Sequence, residues 1–352
     1  MEETPAKSTK IKVRRGWWYV LGGVLCLGLA SVPLYRLWEY YRGRAVDGDA
    51  VVQIPTGSRF EALLDSLGAR RVLHDSLLFV KLARARDLDT LVRPGSYQLR
   101  EGMSYASLIN MLKSGRQTPV RVTFHNVRST DRLAGLLARK LEPDSLAFLQ
   151  AFDNDSLIHS LGFTSATLLG MFIPNTYEFY WTVTPEAFMK RMKREYDRFW
   201  NEDRTAKLAR CGLSREEVST LASIVYEETK NTAEMPRIAG VYINRLRRGM
   251  PLQADPTVKY AVGDFTLRRV LLRHLEVDSP YNTYKYPGLP PGPICMPSIA
   301  ALDAVLNFEA HDYLYFCAKE DLSGTHNFAR TLAEHNRNAQ AYARALDRLK
   351  IR

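Results

Sequence analysis

Residues 16–35, GWWYVLGGVLCLGLASVPLY, form a run of twenty residues without a charged side chain, and no other feature restricts the architecture of this chain so strongly. Twenty helical residues reach about 30 Å, the thickness of a bilayer's hydrocarbon core. Lys7, Lys10, Lys12, Arg14 and Arg15 precede the run; Trp17, Trp18 and Tyr19 stand at one interface, Tyr35 and Trp38 at the other. The positive-inside rule puts the short tail 1–15 in the cytoplasm and everything beyond the run outside it, although Arg36, Arg42 and Arg44 reduce the contrast. A cleaved signal peptide is the competing reading. The run exceeds the usual apolar region of about 7–15 residues, no A-x-A site follows, and Leu25 before Cys26 does not fit a lipoprotein cleavage site. A single-pass transmembrane helix over 16–35 is therefore expected.

The rest of the 352 residues reads as globular, with 46% hydrophobic and 25% charged residues, and is long enough for more than one domain. The net charge is +11, but residues 1–45 carry eight Lys/Arg against three Glu, so nearly half of the excess sits beside the apolar run. No nucleic-acid partner is expected on that ground. Cys26, Cys211, Cys295 and Cys317 show no CxxC spacing. Cys295 and Cys317 are read either as a disulfide or as free thiols. No Walker A, GxGxxG, GxSxG or HExxH pattern occurs, and no cofactor or metal is expected.

After a linker at 36–49, VVQIP (51–55) reads as a strand and Ser58 with Glu61 as a capping box opening a helix. A second helix at 76–85, a turn at Pro94-Gly95, a strand through Tyr97 and Leu99, and a helix at 105–113 complete a β-α-α-β-α unit. TPVRVTFHN (118–126) alternates and starts a new strand. Helices are predicted at 129–140, 144–152, 185–200, 214–230, 233–248 and 331–348, and a strand at 312–318. The Pro-rich stretch from about residue 278 to 297 is read as an ordered functional loop.

The helix at 214–230 carries the most chemical information. Ser214 and Glu217 form a capping box, and Val218, Leu221, Ala222 and Val225 make its buried stripe. At about 100° per residue, Glu228 falls about 60° from Val225, whereas Glu227 points about 200° away, toward solvent. Burial and the negative end of the helix dipole both raise a carboxyl pKa, as a general acid near neutrality requires. The alternative is an ion pair of Glu228 with Arg237 or Arg245. Gln253, Asp255 and Thr257 alternate as on one face of an extended segment, and an Asx turn before Pro256 would account for Asp255 equally. His326 and His335 lack metal-ligand spacing.

Four ordered stretches carry a resemblance to a known family: LASIVYEETKNTAEMPRIAGVYINRLRRGMPLQADPTVKYAVG, GMFIPNTYEF (170–179), SPYNTYKYPGLPPGPICMP (279–297) and YLYFCAKEDLSGTHNFARTLAEHN (313–336). Together they resemble the signature of the endolytic murein transglycosylases, the YceG-like family, from about residue 50 to the end. Relatives carry Glu where Tyr226 stands here. The resemblance implies an α+β chain: tail 1–15, transmembrane helix 16–35, linker 36–49, LysM-like unit 50–117 and a mixed α+β catalytic domain 118–352. It implies a lyase in the bacterial cytoplasmic membrane, its C-terminal part outside, that cuts peptidoglycan glycan strands between N-acetylmuramic acid and N-acetylglucosamine and leaves 1,6-anhydro ends. Peptidoglycan synthases are candidate partners. The family's catalytic Glu falls on Glu228. Asn244, Gln253, Asp255, Tyr281, Asn282, Thr283, His326 and Asn336 are candidates for orienting the glycan. A two-carboxylate hydrolase using Asp255 or Glu178, and a non-catalytic wall-binding scaffold, are the alternatives.

Overall fold

The computed structural model describes residues 16–267 and 269–348 and divides the chain after Pro119 into two compact units. The predicted tail 1–15 lies outside the described residues.

The first unit begins with α1 (Gly16–Arg42), interrupted chemically only by Pro33. Most of its described apolar side chains, among them Val24, Leu25, Leu34 and Leu37, stand exposed, whereas Tyr40 near its end is buried in the core of the unit. Among the described residues, no helix is long and apolar enough to cross a membrane. Then follow β1 (Ala50–Ile54), α2 (Phe60–Ala69), α3 (Ser76–Arg84), β2 (Gly95–Leu99) and α4 (Tyr105–Ser114). The strands pair antiparallel with Val52 opposite Tyr97. They and the helices close on a core containing Leu63, Phe79, Tyr97 and Leu108, none of which is accessible to solvent. Asp75 and Ser104 cap α3 and α4. Two expectations are corrected. Ser58 does not cap α2; its N–H closes a turn onto Pro55, and Arg59 occupies the capping position without a side-chain bond. Residues 36–49 are not a free linker either. Residues 36–42 continue α1, Arg44 and Val46 form bridges to Ser104 and Leu73, and Ala45 and Val46 are fully buried.

The second unit runs through β3 (Val120–Phe124), α5 (Thr130–Ala138), α6 (Ser145–Phe152), α7 (Asp155–Ser160), a 3-10 turn (Leu168–Met171), β4 (Asn175–Phe179), α8 (Pro185–Phe199) and α9 (Glu202–Cys211). It continues with α10 (Arg215–Glu228), α11 (Met235–Arg247), α12 (Asp255–Val262), α13 (Leu272–Leu275), α14 (Ile299–Leu306), β5 (Tyr315–Ala318), β6 (His326–Ala329) and α15 (Leu332–Arg348). The strands form two separate antiparallel pairs, with Val122 opposite Tyr177 and Phe316 opposite Phe328. Phe188 of α8 anchors one end of the core, with the rings of Phe124, Phe148, Phe152, Phe172 and Phe179 at 5.1–6.5 Å.

The central element is α10, which packs against α11 and α14. Its capping box forms as expected, with Ser214 accepting from the Glu217 N–H and Glu217 from the Ser214 N–H. Every residue from 218 to 225 is buried, so the helix is enclosed rather than amphipathic. It tolerates this because Ser219, Thr220 and Ser223 return their hydroxyl protons to carbonyls of the same helix. The Pro-rich loop lies against it: Ser223 Oγ accepts from the Ile294 N–H at 3.0 Å, and Met296 N–H reaches the Val127 carbonyl at 2.7 Å. Gly292 approaches the Ala166 carbonyl so closely that a Cβ would lie 1.9 Å from its oxygen. The segment read as extended at 252–257 is a correction. Pro256 fits the first turn of a helix, where no N–H is needed, and α12 starts at Asp255.

Candidate active site

Glu228 is the last residue of α10 and opens into a cleft of about 450 Å³. It keeps partial solvent access, yet the protein around its carboxyl is dense. Desolvation is the largest influence and pushes its pKa up to about 7. The Tyr242 hydroxyl donates to Glu228 Oε1 at 2.6 Å and opposes that rise; Asp255 and Glu227 add to it, and Lys259 offsets it. Because a carboxylic acid and a carboxylate can both accept at Oε1, this bond leaves Oε2 as the atom that gains and loses a proton. Tyr242 itself is buried, and its own pKa is far above the ordinary phenol value, so it stays a donor throughout.

Neither arginine proposed as an ion-pair partner for Glu228 serves as one. Arg237 pairs with Glu309 at 3.0 Å, and Arg245 donates to the Leu252 carbonyl and to Gln253 Oε1 at 3.0 and 2.8 Å. The neighbouring acid departs from its expected direction. Glu227 does not face solvent but is largely covered, held by Arg128 at 2.6 Å. The periodicity was sound for angle and blind to what packs there, namely Tyr260, Ile294 and Phe265 around the same small cavity.

The predicted site residues divide into three groups. Gln253, Asp255 and His326 line the cleft with Glu228. Gln253 sits in the left-handed region at φ 52°, which turns its side chain onto Arg245. Asp255 Oδ1 accepts from the Tyr284 hydroxyl at 2.7 Å. His326 Nδ1 lies 3.1 Å from Glu234 Oε2, so the ring donates there and presents Nε2 as its acceptor when neutral.

A second group supports the walls. Thr283 accepts from the Ala254 N–H and shares a bond with the Thr257 hydroxyl, while its carbonyl accepts from the Gln253 N–H. Asn282 spends its side chain on the carbonyls of Leu275 and Val277 and on the Tyr284 N–H. Tyr281 packs on Tyr260 with centroids 4.6 Å apart, and burial raises its pKa. Asn244 Nδ2 donates to the carbonyls of His311 and Tyr313. The third group is Asn336, exposed on α15 and outside the cleft; one residue of helical rotation hands that position to His335. Glu178, the other acid considered for a hydrolase, lies exposed on β4, and it too is absent from the cleft lining.

Sequence reasoning did not assign Tyr242, Arg245, Tyr284, Tyr315 or His335 to this cleft. Tyr242 is buried on α11 with Ile238, Ala239 and Ile243, and only the tertiary packing of α11 on α10 turns its hydroxyl into a partner for Glu228. Cys295 is buried, Cys317 is half-buried in the cleft wall, and both are free. Among the described residues, no group of three His, Cys, Asp or Glu side chains is placed to hold a metal ion.

A sequence model described as the YceG-like family matches residues 52–341. A Bacillus subtilis (strain 168) protein named endolytic murein transglycosylase is 31% identical over 307 residues, spanning 83% of this chain and 84% of the relative. A protein of the same name from Streptococcus pneumoniae serotype 2 (strain D39 / NCTC 7466) is 27% identical, spanning 91% of this chain but 64% of that longer relative. Among solved structures, a yceG-like protein from Listeria monocytogenes superposes with a TM-score of 0.54 at 29% identity, covering 83% of this chain and 99% of that one.

Proposed function

This chain belongs to the YceG-like family, and we propose that it is an endolytic murein transglycosylase, a lyase that cuts peptidoglycan strands with Glu228 acting first as acid and then as base. The observation that carries the reading is a carboxyl with a pKa of about 7, fixed by a tyrosine at the end of a buried helix and facing an open cleft. Such a group is protonated often enough to donate and basic enough to accept.

In the first step Glu228 gives its proton to the glycosidic oxygen as the bond from N-acetylmuramic acid C1 breaks with oxocarbenium character. The carboxylate then takes the proton of the muramyl C6 hydroxyl as that oxygen bonds to C1. The product is a 1,6-anhydro ring, and the acid is restored. An intramolecular nucleophile has a high effective concentration, so neither an activated water nor a carboxylate nucleophile is required. Gln253, Asp255 and His326 would hold sugar hydroxyl and acetamido groups, with Thr283, Asn282, Tyr281 and Asn244 as their supports. Asn336 has no role in this reading.

The finer placement of the chain is part of the proposal. The charge-free run at 16–35, helical and with exposed apolar side chains, supports a single-pass anchor in the cytoplasmic membrane with the second unit outside. The β-α-α-β-α order of residues 50–114 supports a LysM-like, glycan-binding unit. An enzyme so anchored would trim nascent strands beside peptidoglycan synthases and terminate their elongation.

Mass spectrometry of peptidoglycan digested by the wild-type chain and by Glu228→Gln tests the reading. Internal fragments with 1,6-anhydro ends are expected from the wild type alone. Reducing-end fragments would instead make it a hydrolase, with Asp255 the acid to examine next. Binding without fragments from either protein would favour a scaffold.

A further inference from the structure

Among the described residues, no carboxylate pairs with one cation of the cleft, Arg245. Arg245 is 8% exposed. Its two terminal nitrogens donate to neutral acceptors, the Leu252 carbonyl and the Gln253 amide oxygen, and its Nε–H has no acceptor. The ionisable groups beside it include the hydroxyls of Tyr242, Tyr315 and Tyr284, and burial holds Tyr242 and Tyr284 above the ordinary phenol range. Glu228 is not its counter-ion: Oε1 is occupied by Tyr242, and the charges acting on that carboxyl are Asp255, Lys259 and Glu227.

The His335 imidazole lies beside it, its pKa held below the ordinary histidine value by burial and by Arg245 itself, so it adds a hydrogen-bonding ring and not a second charge. The Tyr315 ring has the Arg245 guanidinium 5.3 Å from its centroid and stacks with the His335 ring at 5.4 Å. His335 Nδ1 is buried and unpartnered, and both residues line the cleft that Glu228 enters. Burying a guanidinium without an anion is costly, and an unmet donor adds to the cost. The backbone is constrained too, since Gln253 adopts a positive φ while its amide oxygen holds one terminal nitrogen. A buried guanidinium with an unmet Nε–H and no anion beside it, on a residue that lines the cleft, is one half of an ion pair.

We propose that Arg245 and His335 form a subsite for a carboxylate carried by a muramyl residue of the bound strand. The inference rests on the lyase reading above and names a feature of its substrate. Hydroxyl and acetamido groups along the glycan are uncharged. Carboxylates enter through the lactyl ether of muramic acid, which is free on a bare strand, or through peptide attached to it. The two sources offer the same group to the guanidinium.

The full-length chain in detergent, with four strand preparations, tests this and separates the sources. These are peptide-free strands, the same strands with carboxyls converted to amides, peptide-bearing strands, and their amidated counterparts. Amidation is expected to reduce kcat/KM about tenfold, mainly through KM, in the pair that supplies the recognised carboxylate. Arg245→Met is expected to cleave acid and amide strands alike, and Arg245→Lys to keep part of the discrimination. Equal cleavage of all four preparations by the wild type overturns the subsite while upholding the lyase. Discrimination that survives in Arg245→Met overturns it as well, because the carboxylate is then read elsewhere. Absence of anhydro ends from every preparation overturns the lyase reading and the subsite with it. The wild-type comparison stands by itself if the Met variant does not fold.

Discussion

At the scale of single residues, the behaviour of Glu228 follows from two opposing influences. Burial raises its pKa and the Tyr242 hydroxyl restrains the rise. The protonated form starts the reaction, so kcat/KM is expected to hold at acidic pH and to fall as pH rises through about 7. Tyr242→Phe removes the restraint. The falling limb should move to higher pH, and kcat should drop about tenfold because the carboxyl loses its fixed orientation; a pH profile unchanged in that variant would refute the coupling. The same shift has a consequence for stability. A carboxyl whose folded pKa lies above its unfolded value contributes fully below the unfolded pKa, and that contribution is lost as pH rises to the folded value. Allowing for the solvent that reaches the cleft, the loss is on the order of 2 kcal/mol. Glu228→Gln should therefore raise the Tm relative to wild type at pH 8 more than at pH 5, as read by calorimetry. The acid itself was legible because one helix's periodicity is local information. Tyr242 and Arg245 were not: nothing local marks a tyrosine on α11 as the partner of an acid on α10, and nothing local marks an arginine as lacking a counter-ion.

At the scale of elements, the site depends on a loop with no regular structure of its own. Thr283 ties that loop to the start of α12, and Ile294 ties its far end to Ser223 in the middle of α10. Ser223→Ala leaves the buried Ile294 N–H without an acceptor and should cost about 1–3 kcal/mol by denaturant unfolding, with kcat nearly unchanged. Gly292→Ala forces the loop off the Ala166 carbonyl and should be the more damaging of the two, since neither contacting group is a movable side chain. The helix α10 was readable from its capping box and i, i+3, i+4 spacing, whereas the short helices α13 and α14 flanking the loop were not. Nor was the start of α12. Gln253, Asp255 and Thr257 alternate like a strand, yet Pro256 and the left-handed Gly263 that ends the helix were the physically decisive signals. The short strands β4 and β6 escaped because four or five residues carry too little pattern when pairing partners are distant in sequence.

At the scale of the whole molecule, two hydrophobic cores lie in two units, one reaching Leu112 and the other beginning at Val122. Each encloses its own aromatic and aliphatic side chains, so each has the means to fold separately. The burial of Ala45 and Val46 shows that the first unit begins before its first strand. Every residue of the cleft, from Glu228 to His335, belongs to the second unit. Residues 120–352 expressed alone should therefore retain a cooperative thermal transition and the ability to leave anhydro ends on short glycans. If the first unit binds strands, removing it should weaken the pull-down of intact sacculi and raise KM on long strands while leaving kcat on short ones within about threefold. Restoring residues 40–119, which keeps the buried Tyr40, Ala45 and Val46, should recover strand affinity without the anchor. A fragment 120–352 that folds but no longer cuts even short glycans would mean that the chemistry needs more than the cleft, and would move the search for the missing groups into the first unit.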